Sequence, residues 1–290
     1  MRHTGNPMRR LVLGRAVRPV MLLCLLLSSC STVPLTGRTQ LSLIPESTVM
    51  KMSLTEYEQV ISKAKLSQNR EQSAMVKRVG ERIARAAEDF LRENGLEQEV
   101  SNYHWEFNLI DDPDTVNAWC MPGGKIAVYT GILPVTRDEN GLAVVMGHEV
   151  AHALAQHGRE RLSQGLLVQM GGVALAVALS QKPEGTRNLF MAAYGLGATV
   201  GLILPYSRQH EYEADRIGLT IMAKAGYDPH AAIGLWERMR DLSKEKERVD
   251  FLSTHPAPQS RIDYIKEYIP EAMKQFRASR QDGRRSARRR

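Results

Sequence analysis

Residues 147–152 read Gly147-His148-Glu149-Val150-Ala151-His152, inside an apolar run that begins just after Thr136-Arg137-Asp138-Glu139. A Thr-x-x-Glu quartet ahead of such a run is a capping box, so the stretch predicts a helix from about 136 to 162. Positions i and i+4 of a helix share one face, one turn apart, so both imidazoles can reach a single ion. Zinc suits such nitrogen ligands, and a catalytic zinc site keeps one position open for water. Glu149 is then placed beside the metal to take a proton from that water. Composition alone predicts the pattern about 0.016 times in a chain like this, too rarely to dismiss it.

Two imidazoles need a further ligand. Glu211-Tyr212-Glu213-Ala214-Asp215 lies on its own predicted helix, from about Ser207 to Ala225. Glu211 and Asp215 are again i and i+4, so one carboxylate can bind zinc while the other holds a ligand imidazole from behind. Glu213, two positions away, is expected to face elsewhere. His104, His157, His210 and His230 carry no spacing signal and read as incidental.

The chain has 290 residues and a formal charge of +7. Five arginines without an acid lie in 1–29, and seven arginines with one aspartate lie in 277–290, which leaves the body between them at −4. A basic nucleic-acid-binding fold is therefore excluded, and no nucleic-acid partner is expected. Arg9, Arg10, Arg15 and Arg18 precede the apolar run Val20–Leu27 and then Ser28-Ser29-Cys30, the layout of a secretory signal. Leu27-Ser28-Ser29-Cys30 resembles the lipobox of bacterial lipoproteins, with Cys30 the acylated first residue of the mature chain. Ser31, in place of aspartate, points to outer-membrane sorting. Residues 1–29 are thus expected as signal peptide, 30–45 as tether, 46–276 as the folded domain and 277–290 as an Arg-rich tail. With Cys24 removed and Cys30 acylated, Cys120 is the one remaining thiol, and no internal disulfide is expected.

Helical patterns occupy about 46–67 and 71–94, the second ending at a C′-type Gly95. Strand patterns cover Tyr103–Ile110, Val116–Cys120 and Lys125–Thr130, the last two joined by the turn Pro122-Gly123-Gly124. Residues 165–205 are apolar and Gly-rich. Their greasiest pieces, 14–16 residues each, are short for a membrane span, which leaves core helices or a lid or membrane-facing pair. Asp228-Pro229 opens a helix to about Leu242, and a last helix falls near 258–275. The fold class is α+β, mainly α.

Further blocks accompany the zinc motif: Asn117-Ala118-Trp119-Cys120-Met121-Pro122-Gly123-Gly124-Lys125, Tyr129-Thr130-Gly131, Ser207-Arg208 with Gly218, and Thr254-His255-Pro256 with Arg261. In this order they resemble the gluzincin metallopeptidase family that contains the CAAX prenyl protease, the mitochondrial Oma protease, HtpX and the periplasmic LoiP- and BepA-type lipoprotein proteases. The resemblance implies one zinc ion on His148, His152 and Glu211, Glu149 as general base, and Asp215 behind a ligand histidine. It further implies an endopeptidase acting on unfolded or misfolded envelope proteins, with a chaperone of little or no proteolysis as the competing class. A BepA-type helical-repeat domain is not expected after residue 276. Lys125, Ile126, Ala127, Val128 and Tyr129 are expected to form an edge strand that pairs with substrate backbone. His255 is expected either to cap the metal or to stabilise the transition state, with Arg261 a weaker oxyanion candidate.

Overall fold

The computed structural model describes residues 30–33, 36–199, 203–245 and 249–288. The signal-peptide reading and the acylated side chain of Cys30 lie outside what it describes. Helices dominate, around one three-stranded sheet. α1 (Glu46–Lys63) and α2 (Arg70–Glu93) lead into β3 (Glu106–Ile110), β4 (Ala118–Met121) and β5 (Lys125–Tyr129). The short α3 (Leu133–Thr136) precedes α4 (Glu139–Leu154), α5 (His157–Ala178), α6 (Glu184–Ala198) and α7 (Leu204–Lys224). α8 (Ala231–Glu245), the short α9 (Asp250–Thr254) and α10 (Gln259–Arg288) are the last of the described elements.

The apolar stripe of α2, Val76, Val79, Ile83, Ala87, Phe90 and Leu91, is buried, and the Asn69 side chain caps its start by accepting from the Gln72 N–H. Gly95 has φ +74° and closes the helix, since a left-handed residue here costs glycine nothing. Gly80, unfavourable on propensity, sits where a Cβ would lie 2.3 Å from the Phe107 ring, so the helix trades intrinsic stability for contact with β3. α4 is buried from Gly141 through Leu154, packed between α2, β4, α7 and α8.

The sheet order is β3-β5-β4, with β3 parallel and β4 antiparallel to β5. This corrects the expectation for Lys125, Ile126, Ala127, Val128 and Tyr129. They form the central strand, bonded on both sides, and cannot accept another chain. Ile126, Ala127 and Val128 are fully buried, which is why the stretch reads as a strong strand without being an edge. On the β3 side the edge is partly covered, by Ser67 N–H to Leu109 O and Asp111 N–H to Lys65 O. The edge that faces α4 is β4.

Other boundaries moved for local reasons. Asp138, rather than Thr136, caps α4 by accepting from the Gly141 N–H at 2.9 Å. The helix expected to run to 162 stops at Leu154, because Gln156 adopts a left-handed φ of +54° and α5 departs in a new direction. The 30–45 segment is folded: β1 (Cys30–Thr32) pairs antiparallel with β2 (Thr39–Leu41), and Val33 is buried. α10 continues through the Arg-rich stretch to Arg288 without a break at 276.

α4 and α7 cross at Gly147 and Gly218. A Cβ on Gly218 would meet the Gly147 carbonyl and the His148 nitrogen at 2.9 Å, and one on Gly147 the Gly218 carbonyl at 3.0 Å. Backbone cannot yield as a side chain can, so any larger residue must separate the helices. Gly218→Ala is expected to cost about 1–3 kcal/mol by overpacking. It is also expected to weaken metal binding, read by thermal melting with and without zinc and by chelator competition.

Candidate metal centre

α4 supplies His148, Glu149 and His152, and α7 supplies Glu211 and Asp215. The turn after α9 supplies His255, and the first turn of α10 supplies Arg261. His148, Glu149, His152, Glu211 and Asp215 are all between 2% and 5% exposed. His152 Nε2 lies 3.1 Å from His148 Nε2, and Glu211 oxygens lie 3.3 Å from His148 Nε2 and 3.4 Å from His152 Nε2. Bonds of about 2.0–2.1 Å at tetrahedral angles separate ligand atoms by about 3.3 Å, so the three donors fit a zinc ion. His255 Nδ1 completes the group, 3.3 Å from His148 Nε2 and 3.1 Å from both Glu211 oxygens. The four donor atoms lie within 4.8 Å of one another.

Electrostatics agree with a cation here. Burial and the Arg261 charge oppose protonation of His148, but Asp215 and Glu211 outweigh them and raise it to about 9. Burial would raise Glu211, yet hydrogen bonds from His148, His152 and His255 hold it far below the carboxylate range. His152 is driven well below its ordinary value, chiefly by burial. The carboxylates that favour positive charge on His148 favour a divalent cation at the same place.

A second layer fixes each ligand. Asp215 Oδ1 lies 3.1 Å from His148 Nδ1. Arg261 grips Asp215 with two donors, Nε to Oδ2 at 2.6 Å and a terminal nitrogen to Oδ1 at 2.8 Å. The other terminal nitrogen reaches Glu211 at 2.9 Å and the Pro256 carbonyl at 3.0 Å, and the guanidinium lies 3.8 Å from the Trp236 ring centre. Arg261 thus spends its donors on Asp215, Glu211 and the Pro256 carbonyl. Glu149 carries a buried Oε1 without a hydrogen-bond partner among the described residues, and His255 Nε2 is 3.5 Å from it.

His157, read from the sequence as incidental, and Glu213, expected to face elsewhere, both belong to this layer. On an unbroken helix, residue 157 would face away from 152. The left-handed turn at Gln156 swings it back, so His157 Nδ1 sits 2.8 Å from His152 Nδ1. With Nε2 turned toward the cluster, His152 carries its proton on Nδ1 and donates to His157; His157 Nε2, 3.2 Å from Glu213, then donates to that carboxylate. Burial lowers His157 to about 4, which keeps it the neutral acceptor this chain of bonds requires. Arg38, from the folded N-terminal segment, joins Glu213 at 2.8 Å and Glu160 at 2.7 Å, and His210 meets Glu160 at 2.8 Å. Burial opposes ionisation of both acids, but these partners hold Glu160 and Glu213 at about 2. The left-handed glutamine gives no sequence signal, so the ligand's partner was hidden.

Residues 70–269 match the model of peptidase family M48. The chain belongs to peptidase family M48. It is 41% identical over 174 residues to the mitochondrial metalloendopeptidase OMA1 of Schizosaccharomyces pombe, covering 60% of this chain and 49% of that protein. It is 30% identical over 248 residues to the human mitochondrial metalloendopeptidase OMA1, covering 83% and 46%. It is also 30% identical over 166 residues to the beta-barrel assembly-enhancing protease of Escherichia coli, covering 54% and 33%. The chain spans about half the length of the fungal OMA1 proteins it matches. M48 membership and the donor geometry agree on zinc as the metal.

His157→Ala is expected to weaken zinc binding about 10–100-fold by freeing the His152 ring. Chelator competition measures this, with circular dichroism to confirm folding; unchanged affinity would remove His157 from the metal's support.

Proposed function

We propose that this M48 chain is a zinc-dependent endopeptidase that cleaves unfolded or misfolded proteins of the cell envelope. The observation that carries the reading is the buried Glu149 Oε1, without a hydrogen-bond partner among the described residues, beside three donors spaced for zinc. Zinc, when bound, supplies Lewis acidity that polarises a peptide carbonyl and acidifies a water. Glu149 takes the water's proton and returns it to the leaving amine. His148, His152 and Glu211 hold the metal, Asp215 and His157 orient the two rings, and Arg261 locks the carboxylates.

Substrate recognition falls to β4. Tyr129 N–H donates to Asn117 O at 3.1 Å, and the antiparallel alternation then turns the backbone groups of Ala118 and Cys120 toward the outer edge. The Ala118 N–H is taken by its neighbour's side chain, Asn117 Oδ1, at 2.9 Å, so Cys120 is the pairing position. A cavity of about 230 Å³ opens beside it, lined by Met50, Tyr103, Cys120, Met121, His152 and Ala153. Backbone pairing plus an apolar pocket suits unfolded chains, whose hydrophobic side chains are exposed. For location, the Arg-rich leader and the lipobox at Leu27–Cys30 support export and anchoring to the outer membrane through an acylated Cys30.

Glu149→Gln is expected to abolish casein digestion while zinc content stays at the wild-type level. If the variant keeps its cellular role without cleavage, the chain is instead an envelope chaperone that uses the cleft to hold unfolded segments. His255 stands at the fourth corner of the donor group and restrains the site in this geometry. His255→Ala is therefore expected to raise peptidase activity severalfold, whereas a loss would assign His255 to the transition state.

A further inference from the structure

We infer that the α5–α6 hairpin docks into one leaflet of a phospholipid bilayer. α5 is rooted in the body by His157, Glu160, Ser163 and Gln164; beyond Gln164 no residue of α5 is buried, and none of α6 is. Leu43 N–H donates to Ser163 Oγ, and Arg159 donates to the Ile44 carbonyl, so the root is pinned to the N-terminal segment. Beyond the root, the helices pack on each other through Gly171 and Tyr194, whose hydroxyl donates to Val168 O at 2.8 Å. Among the described residues nothing covers the apolar side chains on their other faces: Met170 60%, Val173 60% and Val177 69% exposed on α5, with Leu189 69% and Leu196 68% exposed on α6. The helix His157–Ala178 is apolar and long enough to cross a membrane, yet it is neither a core helix nor a leader.

Charge identifies the occupant. Residues 162–181 and 188–207 contain no Asp, Glu, Lys or Arg. Cations bracket these runs, Arg161 and Arg208 at the root, Lys182 and Arg187 at the tip. Anionic headgroups complement basic brackets, whereas a second copy stacked on the same face would set like charges against each other. The free part of α5, Gly165–Ala178, is about 21 Å long at 1.5 Å per residue, against ~30 Å for the hydrocarbon core. With Lys182, Glu184 and Arg187 at its tip, the hairpin lies along the headgroup–acyl boundary rather than crossing. The inference needs neither proteolysis nor acylation of Cys30.

The test uses the full chain with phosphatidylethanolamine–phosphatidylglycerol vesicles whose acyl chains are brominated, a quencher that acts only inside the bilayer. Val173→Trp and Leu189→Trp are expected to be quenched about twofold relative to bromine-free vesicles, whereas Glu71→Trp on α2 and the native tryptophans are not. Adding Met170→Glu and Val177→Glu is expected to abolish quenching at position 189, with zinc content unchanged as the check on folding. Vesicle-bound protein whose added tryptophans stay unquenched would overturn the inference, as would dimers that shield both positions without lipid.

Discussion

Everything in the metal centre depends on how closely two helices approach. α4 carries two imidazoles and α7 a carboxylate, and neither helix alone can hold a metal. At Gly147 and Gly218 the backbones touch, close enough that a Cβ would meet main-chain atoms at 2.9–3.0 Å. That contact adjoins His148 directly and lies two turns along α7 from Glu211. It sets the separation at which the three ligand atoms stand 3.1–3.4 Å apart. Glycine serves here by being small, since neither position has a left-handed backbone.

The same approach concentrates charge. Glu149, Glu211, Asp215, His148, His152, His255 and Arg261 are withdrawn from water into one volume. Isolated ions there would cost several kcal/mol each, and the arrangement persists because almost every lone pair and N–H is matched. Arg261 neutralises the carboxylates from behind, with its flat face on Trp236. Asp215 and Glu211 still favour positive charge at His148, where a metal ion would supply it. Catalytic chemistry and fold stability therefore draw on the same ion, and metal binding contributes to folding free energy.

From the metal outward the order extends further than a ligand set. His152 passes to His157, then Glu213, then Arg38, whose carboxylate partners include Glu160. The N-terminal segment is thus a clasp, three contacts from the ligand ring, and the same segment holds the root of the exposed α5–α6 hairpin. A chain of hydrogen bonds and ion pairs therefore runs from the segment that holds that hairpin to the metal ligands.

Much was legible in the sequence because it is local. The 3.6-residue period placed His148 and His152 on one face and paired Glu211 with Asp215, and glycine and proline marked Gly95 and the 122–124 turn. Sheet order was not local: Lys125–Tyr129 and Ala118–Met121 both read as strands, and only the parallel pairing with β3 decides which is interior. Nor was the bend at Gln156, a residue with no intrinsic preference for a left-handed backbone, which tertiary packing imposes and which brings His157 to the metal ligand. Arg38 looked like part of a tether because its partners lie 122 and 175 residues away. Residue types and their periods determined which chemistry this chain can perform. Close approach of separate elements, set by packing and by pairing of buried charge, decided which residues perform it.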